Sequence, residues 1–226
     1  MKIDILTLFP KMFLGPFDES IIKRAIDKKL VEINIHDLRK WGLSERKTVD
    51  DRPYGGGVGM ILRVDVISKA LEEIRLRTKN QRLRIILLDA GGKKFNQKIA
   101  LRLSKLDQII LIAGHYEGVD YRVHEHLVDE VISIGDYILT GGEIPIMVIV
   151  DSVVRLIPGV LQKKDAIKFE SFSENLLEFS QYTRPEIYKG WKVPKVLLSG
   201  NHKKIEKWRQ EKTLKITKKN RPDLVK

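Results

Sequence analysis

Two apolar runs constrain this chain more than any other feature: Arg84-Ile-Ile-Leu-Leu-Asp89 and Gln108-Ile-Ile-Leu-Ile-Ala113. Neither alternates polar with apolar residues, so neither suits a sheet with one wet face. Continuous runs of this kind belong to strands buried on both sides. Between them, Asn96 to Leu106 places Ile99, Leu103 and Leu106 on one helical face. The same alternation recurs along the first 158 residues. Strands are predicted at Ile3–Leu8, Val31–Ile35 and Glu130–Ile134. Helices are predicted after Ser20, taken as an N-cap, and over Val64–Arg75, Val119–Leu127 and Glu143 to about Leu156. The pattern predicts an α/β fold with a mostly parallel sheet covered by helices on both faces.

In such folds ligands bind beyond the carboxyl ends of the strands. Three predicted strands end in Gly-bearing segments: Asp89-Ala90-Gly91-Gly92, Gly114-His115-Tyr116-Glu117-Gly118, and Gly135 through Gly142. Any one Gly pair can be explained by a tight turn alone. Three on adjacent strands would form one crevice. The chain has no G-x-x-x-x-G-K-[ST], and no G-x-G-x-x-G between a strand and a helix. Only Lys93 and Lys94 bring positive charge to these segments. That disfavours a phosphate-rich cofactor and suits an adenosine held by backbone groups, with Ile134, Tyr137, Ile138 and Leu139 as apolar walls.

The charge balance points to a second partner. Among 226 residues, 42 Lys and Arg face 30 Asp and Glu, a net charge of +12. A surplus of this size suits a polyanion, either nucleic acid or an anionic membrane surface. It is unevenly spread: residues 159–226 hold 17 Lys and Arg against 8 Asp and Glu, and residues 1–158 hold 25 against 22. Pro158-Gly159 marks the composition shift. Lys189, Lys192 and Lys195 precede a helix predicted from about His202, which carries Lys203, Lys204, Lys207, Arg209, Lys212 and Lys215, with Trp191 and Trp208 interleaved. Trp208 is expected to pack on Ile205, and either aromatic type can stack on an unpaired base.

Other classes fall away. Cysteine is absent, which excludes disulfides, a thiolate nucleophile and Cys-based zinc sites. No apolar run approaches 18 residues, so no membrane span is expected. Met1-Lys2-Ile3-Asp4 leads straight into a strand and does not read as a signal peptide, so a cytoplasmic location is expected. His124 and His126 lie two apart on a predicted helix and point in different directions, against a zinc cluster.

Several segments carry a family resemblance. Asp51-Arg-Pro-Tyr-Gly-Gly-Gly-Val-Gly-Met60, Gly114-His-Tyr-Glu-Gly-Val-Asp120, Ser133 through Pro145, Tyr182-Thr-Arg-Pro185 and Leu197-Leu-Ser-Gly-Asn-His202 resemble the bacterial tRNA (guanine-N1)-methyltransferases of the SPOUT class. They occur in family order over nearly the whole chain. Patterning alone gives an ordinary doubly wound sheet, because threaded connections are nearly absent from proteins. The resemblance implies instead a knotted S-adenosylmethionine domain over 1–160, its trefoil knot formed around 114–118 and 134–142. A linker at 161–175 and a small, mostly helical, basic tRNA-binding domain at 176–226 would follow. It also implies a homodimer with an active site shared across the interface, a requirement for magnesium at an unknown site, and methylation at N1 of the guanine just 3′ of the anticodon.

The resemblance places cofactor contacts at Gly114, Ile134, Gly135, Asp136, Tyr137, Ile138, Leu139, Gly141 and Pro145. Arg155 and Glu170 take the catalytic positions, and Arg184, Asn201 and His202 the RNA-binding ones. Glu117 matches a family acid near the methyl-transfer site. The chain departs from the family at three places: Glu170 stands for the family Asp, His115 for an Arg, and Asp89-Ala90 for Ser-Pro. Glu is longer by one methylene, roughly 1.5 Å, a displacement large enough to affect rate by about 10²-fold. Two other readings are a SPOUT enzyme acting on ribosomal RNA and an RNA-binding homologue with impaired catalysis. The first should lack the Asp-Arg-Pro-Tyr-Gly-Gly-Gly and Tyr-Thr-Arg-Pro segments present here. The second needs no S-adenosylmethionine.

Overall fold

In the computed structural model, which describes residues 1–77, 82–162, 167 and 170–225, the two apolar runs are neighbours in a five-stranded sheet. The chain divides into two compact units, Met1–Gln162 and Lys163–Lys226. The first unit runs β1 (Lys2–Thr7), α1 (Ser20–Asp27), β2 (Glu32–Asp37), β3 (Asp50–Asp51), β4 (Ile61–Leu62), α2 (Val64–Leu76), β5 (Leu83–Lys94), α3 (Gln97–Leu103), β6 (Gln108–Ala113), α4 (Tyr121–His126), β7 (Glu130–Ser133) and α5 (Glu143–Val154). The sheet order is β2-β1-β6-β5-β7, with every pairing parallel. All six residues of β6 are buried, as a strand covered on both faces requires. The fold is therefore α/β with a parallel central sheet, as the alternation of elements predicted.

The first unit differs from the sequence expectation at two points. Ser20 is not the N-cap of α1. Glu19 holds that position with no side-chain capping bond, and Ser20 is the first helical residue, at φ +55°. The second point matters more. Gly91-Gly92 does not close β5, which runs on to Lys94 through an irregularity in which Ile132 of β7 pairs with both Leu88 and Lys93. A Cβ on Gly92 would lie 2.6 Å from the Ile132 backbone nitrogen, so only glycine lets the two backbones come this close.

One buried polar cluster crosses the sheet. Asp4 on β1 is 1% exposed; its carboxylate lies 2.8 Å from His36 Nε2 and accepts from Gln108 Nε2 at 2.7 Å. Burial opposes the charged form, but the His36 and Gln108 hydrogen bonds and the Lys2 charge outweigh it. The Asp4 pKa is held below the ordinary carboxylate value.

The second unit contains β8 (Ile187–Tyr188), β9 (Trp191–Lys192), α6 (Lys195–Leu198) and α7 (His202–Asn220). Asn201 caps α7, its Oδ1 accepting from the Lys204 N–H at 3.1 Å. Within the stretch expected as a linker, Ser171 Oγ accepts from Glu178 N–H at 3.0 Å, and Arg221 sits 5.7 Å from the Phe172 ring centroid. No helix among the described residues is long and apolar enough to cross a membrane.

Candidate active site

The sheet order makes β6, β5 and β7 neighbours, so their carboxyl ends meet on one side. β6 ends at Ala113 and turns through Gly114–Gly118, with Tyr116 at φ +58° and Gly118 at φ +131°. β5 contributes its irregular segment at Asp89-Ala90, where Asp89 Oδ1 accepts from Gly91 N–H at 2.7 Å. β7 ends at Ser133, whose hydroxyl donates to the Gly135 carbonyl at 3.1 Å. One cavity is lined by the ends of β6 and β7 and the irregular segment of β5: Leu88, Asp89 and Ala90; Gly114 to Gly118; Ile132 to Gly135; Tyr137 to Gly142; and Pro145.

Eight of the nine residues expected at the cofactor line this cavity: Gly114, Ile134, Gly135, Tyr137, Ile138, Leu139, Gly141 and Pro145. Asp136 does not. Its carboxylate turns outward, 84% exposed, and pairs with Lys94 Nζ at 2.5 Å. Tyr116, Gly118, Thr140 and Gly142, from the Gly-bearing segments expected to form one crevice, also line it, and Leu88, Ile132 and Ser133 join them. The lining contains no Lys or Arg; Asp89 and Glu117 are its acids. A phosphate-rich ligand gains nothing here, whereas a nucleoside bearing a cationic centre meets apolar walls and carboxylates.

The helix behind the cavity depends on close backbone approach. Gly142 N–H donates to the Gly114 carbonyl at 2.7 Å, and a Cβ on Gly142 would lie 2.7 Å from Ala113 Cα and Gly114 N. Glu143, the first residue of α5, is 1% exposed. Its Oε1 accepts from Thr7 Oγ at 2.7 Å, and that hydroxyl accepts from Phe9 N–H at 2.9 Å. The helix N-terminus favours a carboxylate at this position. His115 Nδ1 is buried with no hydrogen-bond partner, which leaves a polar atom at the cavity for a ligand group to satisfy.

The Gly-rich loop hangs on the rim of the same cavity. Glu117 N–H donates to the Met60 carbonyl and Leu62 N–H to the Gly118 carbonyl, both at 3.0 Å. Gly59, at φ +85°, lies against the Glu117 side chain, leaving no room for a Cβ. Beyond this anchor Tyr54 is fully exposed and Val58 is 90% exposed.

Comparison with known proteins matches the whole chain. The sequence model of the tRNA (guanine-1)-methyltransferase TrmD family covers residues 1–226. The chain belongs to this family. A Dictyoglomus turgidum protein named tRNA (guanine-N(1)-)-methyltransferase is 53% identical over 225 residues, covering 100% of this chain and 90% of that protein. Proteins of the same name from Listeria welshimeri and Dehalococcoides mccartyi are 50% and 49% identical, each covering 100% of this chain and 92% and 90% of their own lengths.

Of the other residues expected in a tRNA (guanine-1)-methyltransferase site, Glu117 lines the cavity, and Arg155, Glu170, Arg184, Asn201 and His202 are not part of its lining. Arg155 closes α5 in the first unit. Glu170 belongs to the second unit, where its carbonyl accepts from Ser173 N–H and Oγ, and it lines a hollow with Ser173, Glu178, Phe179 and Arg209. Arg184 is exposed and precedes the cis Pro185. Asn201 and His202 sit at the start of α7, with the Asn201 side chain engaged in capping.

Proposed function

We propose that this chain transfers a methyl group to N1 of the guanine 3′ of the anticodon in tRNA, as the names of its relatives and its membership of the family support. The observation that carries the reading for this site is the cavity formed by three adjacent strands, β5, β6 and β7, free of Lys and Arg, in a chain matched by the family over its full length. S-adenosylmethionine, when bound, supplies an electrophilic methyl on a cationic sulfur. The cavity residues fit it: Ile134, Ile138, Leu139 and Pro145 offer apolar walls, the backbone at Gly114, Gly135 and Gly141 offers polar groups, and Asp89 and Glu117 suit positive charge. His115 Nδ1 is a polar atom still to be satisfied.

Neutral guanine carries a proton on N1. We assign its removal to the Glu170 carboxylate, a carboxylate base in reach of the substrate being the general requirement. As the proton leaves, negative charge develops on O6, and Arg155 stabilises it. Arg184, Asn201 and His202, with the cations of α7, bind the tRNA, and Asn201 also caps that helix. Magnesium is assigned no residue: among the described residues no group of three His, Asp or Glu is arranged to hold a metal ion. The trefoil knot around 114–118 and 134–142 is supported by the close passage of Gly142 over Ala113-Gly114. A homodimer is supported by α5, which buries Ile146, Ile149 and Val150 but leaves Ile144 and Val148, one turn apart, 44% and 41% exposed. Placement in the cytoplasm follows from tRNA as substrate.

The test is nucleoside mass spectrometry of an unmodified tRNA transcript incubated with the protein, S-adenosylmethionine and magnesium. N1-methylguanosine is expected with guanine at the target position and none when that guanine is replaced. No methylated guanosine in any tRNA overturns the reading.

A further inference from the structure

The ribbon of β8 and β9 carries two large aromatic side chains that the chain leaves uncovered. Tyr188 and Trp191 are 54% and 72% exposed. The register pairs Tyr188 with Trp191 and Ile187 with Lys192, so the two rings share one face, their centroids 5.9 Å apart. The turn between them is Lys189-Gly190, with φ of +49° and +85°. Two positive φ values mark a primed hairpin turn, where Asn, Asp or Gly is usual at the first position. A lysine there is held in a conformation that disfavours any residue with a Cβ. What it achieves is placement: Lys189 Nζ lies 5.5 Å from the Tyr188 ring centroid.

We propose that Tyr188 and Trp191 form a stacking site for an unpaired nucleobase of the tRNA, with Lys189 beside its phosphate. The proposal rests on the tRNA reading above and names a contact within it. Charge argues for nucleic acid over a second protein surface: from 184 to 195 the charged residues are Arg184, Lys189, Lys192 and Lys195 against Glu186 alone. Bases within a duplex have no free faces, so the base must be unpaired. Stacking accepts any base, so the ribbon adds affinity without adding sequence choice.

The test measures affinity for an unmodified tRNA transcript by fluorescence anisotropy across salt concentrations. Trp191→Ala should weaken binding by about 10- to 100-fold with an unchanged dependence of log K on log salt. Trp191→Phe should stay within about 3-fold of the unaltered protein, and should lose the part of the tryptophan quenching that tRNA produces through Trp191. Lys189→Ala should lower the salt slope by about 0.7. S-adenosylmethionine affinity, thermal midpoint and mass by light scattering should not move in any variant. Normal tRNA binding by Trp191→Ala overturns the stacking site. A loss of binding accompanied by a change in oligomeric mass also overturns it, because the ribbon then lies between copies of the chain. These outcomes leave the methyltransferase reading standing; failure of the unaltered protein to bind tRNA overturns both.

Discussion

The two units of this chain are stabilised in opposite ways. Among the described residues, every buried hydrophobic side chain lies at or before Val160, while Thr217 alone is buried in the second unit. The first unit carries a near-neutral charge and a sheet whose central strand is solvent-free. The second is basic and is joined by polar and cation–ring contacts: Leu177 N–H donates to Thr217 Oγ1 at 2.9 Å, Arg209 sits 4.7 Å from the Phe179 ring centroid, and Lys212 Nζ sits 5.6 Å from that of Trp208. Trp208, expected to pack within the unit, is only half-buried, its ring 6.4 Å from that of Tyr182. The contrast matches the division of labour proposed here, with cofactor chemistry in a rigid body and tRNA binding on a surface completed by its partner.

The contrast can be broken by substitutions that separate activity from stability. The largest effect is expected in the second unit: Glu170→Gln should lower the methylation rate by about 10²- to 10⁴-fold, with unchanged tRNA affinity and melting temperature. A near-normal rate in a single-turnover assay would remove Glu170 from the chemistry. In the first unit, Gly142→Ala must push apart the Ala113–Gly114 backbone. The expected cost is about 3 kcal/mol, a fall in melting temperature of roughly 6–12 °C. An unchanged melt would show that the close passage carries no weight.

Thr7→Val sharpens the same point. It leaves the buried Glu143 carboxylate and the Phe9 N–H without their shared partner. The expected loss is about 2 kcal/mol, seen by chemical denaturation. The smallest effect concerns acid. Asp4 has a folded pKa below its unfolded value, so its contribution is fully present above about pH 4 and is lost as pH falls toward the folded value. Asp4→Asn should therefore flatten the stability–pH curve below about pH 4. An equally steep acid limb in the variant would place the sensitivity elsewhere.

Much of the first unit was legible in the sequence because its signals are local. The runs at 84–89 and 108–113 state their own burial, and Asn96 announces the start of α3 by its capping side chain, which accepts from Ile99 N–H at 3.1 Å. Two expectations fail, one through a distant strand and one through a local shift. Gly91-Gly92 looks like a turn, yet β7 is close enough to keep β5 extended. Ser20 looks like a cap, yet the backbone enters α1 one residue earlier.

Taken alone, the sequence determined the parallel α/β architecture, the Gly-bearing ends of β6 and β7, the basic C-terminal third and, through its motifs, the family. Periodicity, composition and spacing are properties of neighbouring residues, so they survive without coordinates. Tertiary structure decided which strand ends meet, that Thr7 reaches Glu143 across 136 positions, and that the Gly-rich loop is tied to Glu117. It also decided that Tyr188 and Trp191 share an uncovered face, because strand register and solvent exposure exist only once the chain has folded back on itself.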